Sequence, residues 1–113
     1  MTDSVNNDIH GLVRQNKLDA VKFLIFKSPE AILKPRIRTL ESPIHIAIEC
    51  GHYEMIEFLL LSRADLLAKT STGWTPLHVA SNKGDLKSMK TLLDAAEKRG
   101  LNIIDVADQM GNR

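Results

Sequence analysis

The sequence predicts an all-α fold: a solenoid of about three stacked helix-turn-helix units joined by projecting loops. Three observations lead there. First, Ser42-Pro43-Ile44-His45-Ile46-Ala47 is answered 33 positions later by Thr75-Pro76-Leu77-His78-Val79-Ala80, and Gly51 and Leu59-Leu60 by Gly84 and Leu92-Leu93 at the same interval. A fixed period of this length marks units that cannot bury an apolar flank alone and must stack to do so. Second, a Ser/Thr-Pro pair opens each copy, the chemistry of a helix start. Third, aromatic residues make up 4% of a chain that is 43% hydrophobic, so aliphatic side chains carry the packing, as in helix-on-helix layers.

The elements follow in chain order. In the first unit, Ile9-His10 matches Ile44-His45 and Leu18 to Ile25 matches Tyr53 to Leu60, at an offset of 35. Asn7-Asp8 stands where the capping pair would be, and Asn16 takes the left-handed turn held by Gly51, asparagine being the next most tolerant residue there. Pro29 and Pro35 lie in a slightly longer connection. In the second and third units, Ser42 and Thr75 cap a short helix, Pro43 and Pro76 occupy its first position, and Gly51 and Gly84 end it. Ile44, Ala47 and Ile48, like Leu77 and Ala80, fall on one helical face, and the small alanines admit a close neighbour. A second helix carries Met55, Ile56, Leu59 and Leu60, or Met89, Leu92 and Leu93. The stretch from Ala95 to Val106 is longer than the period requires, which predicts a second helix extended by a turn or two. Asp108 to Arg113 resembles the turn before a further unit, with Gly111 in the part of Gly73. The expected division is one domain over 1–113, with units at 6–35, 36–68 and 69–107 and an incomplete start at 108–113.

A formal net charge of +1 argues against a dedicated nucleic-acid binder. The lone cysteine, Cys50, cannot close an internal disulfide, and a reducing compartment is the simpler expectation. The first eight residues lack the basic and apolar segments of a secretory signal, and the longest apolar run, Phe58 to Leu61, is far too short to span a bilayer. The expectation is a cytoplasmic protein with no membrane role and no cofactor.

Thr-Pro-Leu-His-Val-Ala followed by glycine and Leu-Leu, on a 33-residue period, resembles the ankyrin repeat, over roughly residues 6 to 113. The resemblance implies antiparallel helix pairs, β-hairpin-like fingers between units, and a role in binding another protein through finger tips and the exposed side of the first helices. Carried over, it points to Arg14 and Gln15 in the first unit, and to Arg36, Arg38, Thr39 and Glu41 in the next finger, with Glu49 and Cys50 ending its helix. Lys69, Ser71, Thr72 and Trp74 follow in the third unit's finger, with Asn82 and Lys83 at its helix end. Gln109, Met110 and Asn112 belong to the last finger. Two positions depart from the pattern. Leu40 replaces the turn glycine matched by Gly73, which predicts a finger of different shape, and Arg63 replaces the glycine usual after the second helix.

The remaining chemistry is sparse. His10, His45 and His78 occupy one repeat position, so they stand about 10 Å apart in stacked units, whereas zinc ligands lie within about 2.1 Å of one ion. Hydrogen bonding of His45 and His78 to backbone in the turn is the expected role. Cys50 reads as a helix-end thiol: His52 lies beyond the glycine break, and no oxyanion-hole segment accompanies it. Trp74 is either packing over the neighbouring finger or an interface anchor, tryptophan being enriched among residues that dominate interfaces. Lys34, Arg36 and Arg38 form a basic run, either a solvated loop or a steering patch for an acidic or phosphorylated partner. The amphipathic second helices, with Lys22, Glu54, Glu57, Lys87 and Lys90, are accounted for by packing within the stack. Phosphate loops and metalloprotease or hydrolase motifs are missing. A non-enzymatic module binding a partner protein is therefore expected, in a regulatory or scaffold role. The alternative is a structural one: the N-terminal piece of a longer array, or a chain that is monomeric or weakly self-associating through its C-terminal face.

Overall fold

A computed structural model of the chain describes residues 8–101. Among these residues the regular structure is helical, with no strand. Helices α1 (Ile9–Arg14) and α2 (Leu18–Lys27) are followed by a 3-10 turn, Pro29–Leu33, then α3 (Pro43–Cys50) with α4 (Tyr53–Leu61), and α5 (Pro76–Lys83) with α6 (Leu86–Arg99). α3 packs on both α1 and α5, which makes one layer of the short first helices. α4 packs on α6 in the second layer, while the 3-10 turn packs against α2 and α3.

Burial follows position in the stack. α3, with a neighbour on either side, buries every residue from Pro43 to Ile48, whereas α5 buries only Pro76, Leu77 and Ala80. A helix apolar all round belongs inside a molecule, and Ile44, Ile46 and Ile48 each contribute roughly 1.5–3 kcal/mol by leaving water. Met55, Ile56 and Leu59 from α4 and Leu92 from α6 join them in one core with Ile9, Val13, Val21 and Ile25 of the first unit.

The helix starts repeat with local variations. The Asp8 carboxylate accepts from the Gly11 amide at 2.9 Å and opens α1, while the Thr75 hydroxyl accepts from His78 N–H at 3.3 Å and opens α5. At α3 the Ser42 amide donates to His45 Nδ1 at 3.0 Å, so an imidazole fills the place a glutamate or glutamine takes in a reciprocal cap. Asp85 opens α6 by accepting from both the amide and the hydroxyl of Ser88.

The helix ends are more uniform. Asn16, Gly51, Arg63, Gly84 and Gly100 all hold positive φ, between 59° and 75°. Behind each, the next amide reaches back five residues: Lys17 to Leu12, His52 to Ala47, Ala64 to Leu59, Asp85 to Ala80 and Leu101 to Ala96. These bonds satisfy carbonyls the helix leaves orphaned. Arg63 thus performs, at a steric cost, the task of the glycine it replaces. α6 runs for 14 residues against 9 in α4, as the extra sequence implied. Its Arg99 donates to the Leu60 and Ala64 carbonyls and fastens the extension onto the end of α4.

Candidate functional site

The loops between units are closed by backbone hydrogen bonds. In the loop before α5, Thr70 N–H donates to the Trp74 carbonyl at 3.0 Å and Gly73 N–H to the Thr70 carbonyl at 2.9 Å, a tight turn with Gly73 at φ 87°. The loop before α3 is one residue wider: Arg36 N–H donates to the Glu41 carbonyl and Leu40 N–H to the Arg36 carbonyl. Leu40 still adopts φ 59°. The missing glycine therefore changes the span of the finger and keeps the hand of its turn.

The two fingers are joined. Ser71 N–H donates to the Thr39 carbonyl at 2.7 Å, so the loops lie side by side. Within them, the Thr39 hydroxyl bonds Glu41, and the Thr70 hydroxyl accepts from the amides of Thr72 and Trp74. Arg36, Arg38, Lys69, Ser71 and Thr72 are exposed along this pair, and Glu41 is half-buried. Arg14, Glu49, Asn82 and Lys83 are exposed at the ends of α1, α3 and α5, with Cys50 half-buried. Gln109, Met110 and Asn112 lie outside the described residues.

Trp74 is half-buried, and its ring stacks on His78 with centroids 5.4 Å apart and planes 16° from parallel. Its side chain is thus committed at least in part to its own unit. Two of the three repeat histidines bind the connection that follows their unit. His10 Nε2 donates to the Lys34 carbonyl at 2.6 Å, and His45 Nε2 to the Trp74 carbonyl at 2.9 Å. Because His45 Nδ1 accepts from the Ser42 amide, the proton resides on Nε2. Burial pushes the His45 pKa below its ordinary value, against the opposing pull of the Trp74 and Ala68 carbonyls and of Glu41 and Asp65. His78 differs: its buried Nδ1 has no hydrogen-bond partner among the described residues. His52 Nε2 donates to the Arg14 carbonyl at 3.1 Å, tying α1 to the second unit, so this imidazole is engaged with backbone and not with Cys50. No group of three or more His, Cys, Asp and Glu among the described residues is placed to hold a metal ion.

The model of a protein family described as ankyrin repeats, in three copies, matches residues 9–105. The chain belongs to the ankyrin-repeat family. Such repeats are protein-interaction modules and generally non-catalytic. The sequence is 28% identical over 102 residues to the probable 26S proteasome regulatory subunit p28 of Saccharomyces cerevisiae, covering 88% of this chain and 44% of that protein. It is 32% identical over 72 residues to protein phosphatase 1 regulatory subunit 12A of Mus musculus, covering 58% of this chain and 7% of that protein. It is also 40% identical over 53 residues to the human transient receptor potential cation channel subfamily A member 1, covering 47% and 5% respectively. The chain thus spans less than half the length of these relatives. No helix among the described residues is long and apolar enough to cross a membrane.

Two features of these ankyrin units escaped the sequence reading. Packing does not account for the whole of the second helices: Phe23, Phe26, Leu61 and Leu86 stand 64%, 81%, 84% and 76% exposed. The Tyr53 hydroxyl also donates to both Asp85 carboxylate oxygens, at 2.9 and 2.8 Å, linking the second and third units. Burial raises the Asp85 carboxyl, but hydrogen bonds from Tyr53, Ser88 and the Ser88 and Lys87 amides outweigh it and hold the pKa below the usual value. The same bond to Asp85 leads the causes that raise the Tyr53 phenol. The sequence reading singled out neither Asp85 nor its partner 32 residues away for this contact.

Proposed function

We propose that the chain is a cytoplasmic protein-interaction module that docks a partner protein across its joined fingers and the exposed ends of its first helices, in a regulatory or scaffold role. The observation that carries this reading is the Ser71–Thr39 backbone bond, which sets Arg36, Arg38, Lys69 and Thr72 on one preformed edge. A surface held before binding loses little ordering entropy on contact, which favours affinity. Division into units at 6–35, 36–68 and 69–107, with 108–113 beginning another, belongs to the same reading.

The test is affinity capture from the native cell with the intact chain and with a Lys69→Glu, Thr72→Arg variant. Both side chains are exposed, so circular dichroism should stay unchanged while the captured partner is lost. A folded variant that retains every partner would move the site elsewhere.

The lesser burial of α5 favours a second reading, in which another repeat, from a longer array or a second copy, stacks on the third unit. α3, covered on both sides, buries every residue from Pro43 to Ile48, whereas α5 buries only Pro76, Leu77 and Ala80. Light scattering separates the two at the level of self-association: a monomer at high concentration excludes a second copy on that face.

A further inference from the structure

The continuous segment from α2 through the 3-10 turn packed on it and into the finger before α3 combines exposed apolar side chains with a surplus of cations. Between Asp19 and Leu40, Lys22, Lys27, Lys34, Arg36 and Arg38 are set against two acids, Asp19 and Glu30, in a chain whose net charge is only +1. All five cations are exposed. The same stretch holds Phe23, Phe26, Leu33, Ile37 and Leu40, five of the nine large apolar residues exposed among the described ones. Phe26 is 81% and Ile37 94% exposed.

The fold does not need these groups where they are. α2 buries Val21 and Ile25 in the core, while Lys22, Phe23, Phe26 and Lys27, at helical spacings of three and four, share a face turned to solvent. Lys27 Nζ lies 5.6 Å from the centroid of the Phe23 ring, and Lys22 Nζ lies 5.7 Å from that of Phe58 in the next unit. The ammonium groups are thus held beside the apolar surface. α2 packs on the 3-10 turn that ends at Leu33, and the chain continues directly into the finger with Arg36, Ile37 and Arg38.

We propose that this stretch binds an acidic segment of a partner protein in which carboxylates alternate with leucine- or phenylalanine-type side chains. The carboxylates pair with Lys27, Lys34, Arg36 and Arg38, and the apolar side chains cover Phe23 and Phe26. A peptide fits better than a lipid surface because Asp19, one turn earlier on the exposed side of α2, and Glu30 both stand within the stretch. A uniformly anionic bilayer meets both acids, whereas a peptide can place a neutral or basic residue opposite them. The assignment rests on the protein-interaction reading and adds the partner's chemistry on a surface that extends beyond the finger tips.

The test uses the full chain and a fluorescein-labelled peptide in which Asp and Glu alternate with Leu and Phe, followed by anisotropy. Binding is expected to weaken about ten-fold in Phe23→Ser, Phe26→Ser and about ten-fold again in Arg36→Glu, Arg38→Glu. It should weaken with added salt and change less than about two-fold in Lys90→Glu, an exposed residue of α6 outside both fingers and α2. Absent binding, equal binding of a peptide with Ser replacing Leu and Phe, or an unaffected double-Phe variant would each overturn the proposal. So would preferential binding to phosphatidylserine vesicles, or a dimer in light scattering that the double-Phe variant abolishes. If the peptide fails while the Lys69, Thr72 variant still loses its cellular partner, only this assignment falls. If neither result appears, the interaction reading falls with it.

Discussion

At the scale of single residues, His45 links folding to pH. Its Nδ1 accepts from the Ser42 amide and its Nε2 donates to Trp74, so a second proton would face a donor in a buried site. The folded-state pKa accordingly lies below the ordinary 6.5. The unfolded chain then binds more protons in the interval beneath that value, so His45 contributes fully above pH 6.5 and progressively less as pH falls towards the folded pKa. The urea midpoint should be lower at pH 5.5 than at pH 7.5, and His45→Gln should show a shallower pH slope; equal slopes would refute the assignment. Trp74 makes a different contribution. Alanine there keeps the carbonyl that binds His45 but removes the stack on His78, and should cost about 2 kcal/mol in urea denaturation. Any loss of partner binding in that variant must therefore be measured with the protein fully folded.

At the scale of elements, the helix ends invite the clearest experiment. Arg63 is exposed at φ 75°, a conformation that costs an L side chain about 1 kcal/mol and glycine nothing. Arg63→Gly should therefore raise stability by about 0.5–1 kcal/mol, with the offset coming from greater freedom of the unfolded chain. Arg99→Gln should act oppositely, freeing the Leu60 and Ala64 carbonyls; a loss of about 1–3 kcal/mol, with earlier hydrogen exchange in the last turn of α6, is expected. Much of this was legible beforehand, because Ser/Thr-Pro at helix starts and Gly at helix ends act locally and recur at one interval. The wider finger was legible only as a departure at Leu40, since a leucine does not announce a positive φ. The reach of Arg99 across 35 residues left no local sign, and Phe23 and Phe26 blended into an ordinary amphipathic pattern.

At the scale of the whole molecule, the units depend on one another. α3 is covered by α1 and α5, and histidines from two units close onto the connections that follow them. Ile46, fully buried in the central helix, should on truncation to alanine cost about 2–5 kcal/mol and lower the unfolding of all described units together. Circular dichroism and Trp74 fluorescence should report one coincident transition; separate transitions would show that the units fold independently. The placement of the candidate surface was only partly readable from the sequence. Repeat register identified the fingers, but their pairing through Ser71 and Thr39 depends on how far one unit is rotated against the next.

That pairing uses an amide and a carbonyl and engages neither side chain, the Thr39 hydroxyl bonding Glu41 instead. The tips can therefore diversify in chemistry while their spacing is conserved by the main chain, as beads can be exchanged along a fixed wire. Proline at position 71 is the one replacement that removes the donor itself. A library randomised at 36, 38, 69 and 72 would sample new specificities on an unaltered frame.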